Sequence, residues 1–165
     1  MPTAIHDKLT KSIQMADAMY HRLVLLVGEP GSGKTAILQD IAQSFETSPI
    51  NINLILSSEL LELTPKQRSL RLPDILDRVV NAENSPVILD NLEILFDKAL
   101  MQDPLRLLQS ISRNRTIVSS WNGAYTDGRL TYAESGHPEY RRYDSIDALI
   151  VCTDGTATID NETHI

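Results

Sequence analysis

Residues 28–35 run Gly-Glu-Pro-Gly-Ser-Gly-Lys-Thr. This is the pattern G-x-x-x-x-G-K-[ST], and it dictates what surrounds it. Gly28, Gly31 and Gly33 let the backbone curl until successive N–H groups converge on phosphate oxygens. The cradle is expected to span Gly28, Glu29, Pro30, Gly31, Ser32, Gly33, Lys34, Thr35 and Ala36. Lys34 is placed to reach β- and γ-phosphates, and the Thr35 hydroxyl to ligate Mg²⁺. A helix starting at the loop adds the positive end of its dipole.

The flanks supply the context such a loop needs. Before it lies the apolar run 23–27, Leu-Val-Leu-Leu-Val, suited to a buried parallel strand. After it, Ile37, Leu38, Ile41 and Phe45 recur at helical spacing.

Further along, elements alternate. An amphipathic helix is expected over 5–20, with Ile5, Leu9, Ile13, Ala16 and Tyr20 on one face. Strand two is expected at 50–56, then a short helix capped by Ser57 or Ser58. A helix over 70–80 has Pro73 in its first turn. Strand three is 87–90. Asp103-Pro104 opens a helix to about Ser112, since Asp caps and Pro suits the first position. Strand four is 115–120, strand five 148–152. Asn122-Gly123 and Asp127-Gly128 are turn signals, so 121–133 reads as an irregular hairpin. Alternation of this kind predicts an α/β fold with a parallel sheet and helices on both faces.

At 165 residues the chain is expected to form one domain. Residues 1–152 would be the core, and the polar, acidic 153–165 an edge extension or disordered. No apolar run approaches 18 residues, so no transmembrane helix is expected. A single cysteine, Cys152, and no recognisable leader predict a cytoplasmic protein, with Cys152 a small core residue.

A phosphate loop needs a second element for its metal. Asp90, at the carboxyl end of strand three, is that candidate, with a helix-capping aspartate the plainer alternative. Hydrolysis also needs a base. Asn91 stands where many such enzymes carry glutamate, so the nearest carboxylate is Glu93, which shares a side with Asp90 if a helical turn begins there. Otherwise Glu93 is a surface residue. Asn122, with Ser120 as second choice, would orient the attacking water, or else is simply a turn residue.

Net charge is −7, which argues against a surface built mainly for nucleic acid. Yet 106–142 holds six arginines against three carboxylates, a balance of +3 that leaves −10 elsewhere. Arg141 and Arg142 either reach a neighbouring subunit's site or serve local ion pairs. Trp121, Tyr125, Tyr132, Tyr140 and Tyr143 cluster with them and suit a protein interface ahead of single-stranded DNA. Self-association through 106–142 is therefore expected before direct DNA binding. His137 has no metal-ligand pattern around it and reads as structural.

Residues 28–35, 87–90 with Glu93, and the polar strand end at Asn122 resemble the Walker A, Walker B and sensor 1 of AAA+ and related P-loop ATPases. Over about residues 5–152 this implies a P-loop NTPase three-layer sandwich: a parallel five-stranded sheet, order 5-1-4-3-2, behind an N-terminal helix. It implies ATP with Mg²⁺ as the ligand, Lys34, Glu93, Asn122, Arg141 and Arg142 as catalytic groups, and Thr35 and Asp90 at the metal. Two departures stand out: the Walker B glutamate is displaced to Glu93, and too few residues follow strand five for a helical lid domain.

Residues 90–93, 120–123 and above all 130–140, Leu-Thr-Tyr-Ala-Glu-Ser-Gly-His-Pro-Glu-Tyr, are similar to the BrxF family of small P-loop proteins of type 3 BREX bacteriophage-defence systems. That resemblance implies a bacterial ATPase working with other BREX proteins, among them a DNA methyltransferase and a larger ATPase. Two other readings share the loop: a non-hydrolysing nucleotide-dependent scaffold and a small kinase, for which only 121–142 offers a lid.

Overall fold

The computed structural model describes residues 2–162. Its spine is β1 (Leu23–Gly28), whose six residues are all buried. β1 lies between β4 (Ile117–Thr126) and β7 (Leu149–Cys152), parallel to both. β3 (Val87–Asp90) and the short β2 (Ile50–Asn51) extend the sheet on the β4 side, giving the order β2-β3-β4-β1-β7.

Alternation along β1 divides the core in two. Val24 and Leu26 face α1 (Pro2–Ala16) and α2 (Lys34–Ser44), whose Leu9, Ile13, Leu38 and Ile41 are buried there. Leu23, Leu25 and Val27 face α3 (Ile52–Leu60), α4 (Pro65–Asn81) and α5 (Pro104–Ile111). Both faces are covered, which is why β1 is continuously apolar. Each of its Leu or Val side chains contributes about 1.5–3 kcal/mol by burial. Cys152 lies in the same core, and burial pushes its thiol pKa up.

The sheet has seven strands where five were expected. β4 runs ten residues, past Ser120, and folds back as β5 (Arg129–Tyr132), on which β6 (Arg141–Tyr143) pairs antiparallel. Its turn is Asp127-Gly128, both at positive φ (54° and 78°), the signature of a tight two-residue hairpin. Asn122-Gly123 is no turn. Gly123 lies within β4 because a Cβ there would sit 1.8 Å from the Thr131 carbonyl oxygen.

Three other boundaries move for identifiable reasons. Residues 50–56 are strand for two residues only; the Asn51 side chain accepts from the Leu54 N–H and starts α3. Ile52, Leu56 and Leu60 then point inward at helical spacing and Leu54 is 70% exposed, so Ser57 and Ser58 lie inside the helix rather than capping it. α4 starts at Pro65, behind a Thr64–Gln67 capping box, which leaves Pro73 mid-helix. Pro73 has no N–H for the Ser69 carbonyl, and the Gln102 side-chain amide supplies one at 2.8 Å. α1 stops at Ala16, and Tyr20 is 65% exposed with the Arg113 guanidinium 4.7 Å from its ring centre.

After β7 the chain turns back. Ala157 bridges Val151, the Thr158 hydroxyl accepts from the Ile150 N–H, and α6 (Thr158–Glu162) carries Asp160 to Lys8 of α1. The last part of the expected tail, 163–165, lies outside the described residues.

Candidate functional site

The carboxyl ends of β1 and β3 and the end of the parallel part of β4 open on one cleft, the place where open α/β sheets bind ligands. β1 leaves the sheet at Gly28. The loop closes with Gly33 at φ 93°, left-handed backbone that a side chain would strain, immediately before α2. The first N–H groups of α2 therefore face the cleft, free of intrahelical acceptors.

Lys34 is only 6% exposed. Its Nζ donates to the Gly28 carbonyl at 2.9 Å, the Glu29 carbonyl at 2.7 Å and the Ser32 hydroxyl at 3.3 Å. Burial lowers its pKa, while the carboxylates of Asp90, Glu93 and Glu29 pull the other way. The ammonium is thus held by the loop it serves.

The Thr35 hydroxyl donates to Asp90 Oδ2 at 2.7 Å, and the Asn91 N–H donates to Asp90 Oδ1 at 2.9 Å. Asp90 is 7% exposed at the end of β3. One hydroxyl and one carboxylate oxygen, side by side next to a phosphate loop, are hard ligands of the number Mg²⁺ takes from protein. The donor set fits that ion.

Asn91 has φ 57°, a left-handed turn that reverses the chain into a 3₁₀ turn over Glu93–Phe96. This turn, rather than an α-helix starting at Asp90, returns Glu93 to the cleft. Two amides reach its carboxylate: Asn53 Nδ2 donates to Oε1 at 3.2 Å, and Asn122 Nδ2 to Oε2 at 3.5 Å. Asn53 also donates its N–H to the Asn91 carbonyl at 2.9 Å and accepts the Ile94 N–H on Oδ1 at 2.7 Å. Asn122 pairs with Gly28 across β4 and β1, level with the loop entrance.

Pro30, Gly31, residues 33–36, Asp90, Glu93, Ser120 and Asn122 contribute to the lining of a cavity of about 530 Å³, a size that takes a small ligand. Lys34, Thr35, Asp90, Glu93 and Asn122 thus come together. Arg141 and Arg142 do not join them: Arg141 donates to the Gln102 carbonyl at 2.9 Å and Arg142 to Asp144 at 3.4 Å. Nor are the aromatic residues all a surface platform. Trp121 and Tyr132 are 2% and 6% exposed and pack with Phe96 inside the core. The Tyr143 phenol donates to Asp103 at 2.9 Å, and burial with that carboxylate raises its pKa. Sequence reasoning missed Asn53, which looks like a strand residue until Asn51 is known to start a helix.

The sequence matches the ATPase family associated with various cellular activities (AAA) over residues 24–117, more than half of the chain. Among curated proteins none matches it in sequence. The solved structure of C. elegans PCH-2 is similar over 92% of this chain, at 20% identity and a TM-score of 0.44. The chain spans 40% of the length of that one. Among the described residues no helix is long and apolar enough to cross a membrane. With its phosphate loop after β1 and Asp90 on β3, two strands away, the chain belongs to the AAA family of nucleotide-binding P-loop ATPases.

Proposed function

We propose that this chain binds MgATP and hydrolyses it slowly to ADP and phosphate. The observation that carries this reading is Glu93, turned into the same cavity as Lys34, Thr35 and Asp90 and held there by Asn53 and Asn122. The loop N–H groups and Lys34 bind the phosphates. Thr35 and Asp90 would hold Mg²⁺, which when bound neutralises charge on the phosphate oxygens. Asn122 orients a water, and Glu93 takes its proton as the water oxygen bonds to the γ-phosphorus and the bond to ADP breaks.

The test is phosphate release by wild type beside Glu93→Gln, over a protein concentration series with the assembly mass followed. The expected result is retained ATP binding and at least roughly 100-fold slower release in Glu93→Gln. Equal release would move the base elsewhere. Turnover per subunit that rises with concentration would support self-association through 106–142, with Arg141 or Arg142 completing a neighbour's site.

A second reading is a nucleotide-gated scaffold that does not hydrolyse. It is favoured by the same two amides, which occupy both Glu93 oxygens. Saturable ATP binding without phosphate release decides for it.

The finer assignment is a component of a bacterial BREX phage-defence system, acting in the cytoplasm with other BREX proteins. It is supported by the likeness of 130–140 to BrxF. Residues 1–152 would be the ATPase core and 153–165 its extension. Phage plating on cells that carry the system with Lys34→Ala in this chain tests it; undiminished protection would reject it.

A further inference from the structure

Glu93 and Asn122 approach each other from different elements, and their 3.5 Å contact has no slack. Glu93 opens the 3₁₀ turn that Phe96 closes. Asn122 lies between Trp121 and Gly123 in β4. The rings behind them form one block. Phe96 stacks on Tyr132 of β5 with centres 3.4 Å apart and planes 6° from parallel. Trp121 meets both edge-on, at 5.2 Å and 6.0 Å.

The hairpin grips Asn122 by its main chain too. The Ala133 N–H donates to the Asn122 carbonyl at 3.1 Å. The Trp121 indole N–H donates to the Thr131 carbonyl at 2.9 Å, the oxygen that leaves Gly123 no room for a Cβ. Tyr132 pairs with Gly123 across the hairpin.

We propose that the Phe96–Tyr132 stack is a positioning device that sets the separation of Glu93 and Asn122, so that the hairpin β4–β5 governs the hydrolytic step. Phe96 and Tyr132 touch no substrate; they are positioning residues. Displacing β5 moves Asn122 through Ala133 and Gly123, while displacing Phe96 rotates the turn that carries Glu93. Burial, and after it the Glu93 and Glu139 carboxylates, pushes the pKa of the Tyr132 phenol up to about 12. The proposal rests on the reading of Glu93 and Asn122 given above, and its test is chosen to separate the two.

The experiment compares Tyr132→Leu with Tyr132→Phe. Leucine removes the stack; phenylalanine keeps it and removes only the hydroxyl. For Tyr132→Leu the expected result is MgATP affinity within about twofold of wild type and kcat lower by roughly 10- to 100-fold, the cost of misplacing catalytic groups by about 1 Å. Tyr132→Phe restores wild-type kcat. A Tyr132→Leu protein with wild-type kcat overturns the proposal, as does one whose kcat and affinity fall together.

Trp121 is the one tryptophan in the chain, so its emission in the wild type gives a second readout that needs no variant and no turnover. Emission is expected to differ between MgADP and a non-hydrolysable MgATP analogue, because γ-phosphate contact at Glu93 and Asn122 moves the block. Identical emission in the two states overturns the proposal. A wild type that binds ATP and never releases phosphate sinks the hydrolysis reading alone, and the emission comparison still decides this one.

Discussion

Replacing Thr35 by Val tests the metal reading at the smallest structural cost. The two side chains have nearly the same shape, so the change removes a hydroxyl and little else. That hydroxyl donates to Asp90 Oδ2 at 2.7 Å. Asp90 is 7% exposed, so the oxygen it abandons gains little from water. A hydrogen bond to a charged group contributes about 1.5–3 kcal/mol. Asp90 keeps the Asn91 N–H at 2.9 Å, which argues for the lower half of that range, about 2 kcal/mol. For a chain of this size that is a fall in melting temperature of roughly 4–8 °C. In the presence of MgATP the variant also loses one of two protein oxygens for the ion. Affinity for MgATP should then drop roughly 10- to 100-fold, while metal-free ATP, held by the loop and Lys34, binds as in wild type. Calorimetric titration of both proteins, with Mg²⁺ and with EDTA, reads this difference. The reasoning is refuted if Mg²⁺ strengthens ATP binding by the same factor in the variant as in the wild type.

Asn53→Ala removes the acceptor of the Ile94 N–H and a donor to Glu93. It should lower stability by about 1–2 kcal/mol in a urea melt and reduce kcat roughly tenfold at saturating MgATP. A rise in kcat would mean instead that the amide restrains the base. The phenol of Tyr132 titrates at about 12 in the folded chain against 10.0 when free, so the unfolded state loses its proton first. Its contribution is intact below pH 10.0 and is lost as pH climbs toward 12, on the order of 1–3 kcal/mol. Stability measured from pH 9 to 11.5 should therefore fall less steeply in Tyr132→Phe than in wild type, and parallel curves would contradict the assignment.

What the sequence disclosed was contiguous. Strand, loop and helix from Leu23 to Ser44 are written in one stretch, and so is Asp103-Pro104, where cap and first helical residue adjoin. Residues 50–56 misled because Ile50, Ile52, Leu54 and Leu56 alternate as a strand does, while Ile52, Leu56 and Leu60 repeat as a helix does. The Asn51 side chain settles the matter, and its effect is visible only once the Leu54 N–H is seen on it. Gly123 misled in the other direction. Beside Asn122 it looked like a turn, but the requirement it meets is the nearness of Thr131, eight residues on. Pro73 sits mid-helix on the strength of Gln102, which no local rule could pair with it.

The site divides along the same line, and strand order explains why. Lys34 and Thr35 follow β1, Asn122 ends the parallel part of β4, Asp90 ends β3 and Glu93 follows it, and Asn53 follows β2. In the sheet these strands stand in the order β2-β3-β4-β1. Laid across the cleft, the groups therefore read amide, carboxylates, amide, ammonium. Glu93 lies between two amides because β3 lies between β2 and β4, though Asn53 and Asn122 are 40 residues before it and 29 after it. Asn122 stands next to the loop because β4 is the neighbour of β1. The loop and Asp90 can be read from the chain because each is a local motif. The tethers of Glu93 cannot, because they arise from crossovers that bring distant strands side by side. Movement of β2 reaches Glu93 through Asn53, and movement of β4 reaches it through Asn122. Glu93 is thus exposed to strain from both sides of its own strand, whereas the Lys34 ammonium is held by two carbonyls and a hydroxyl of its own loop.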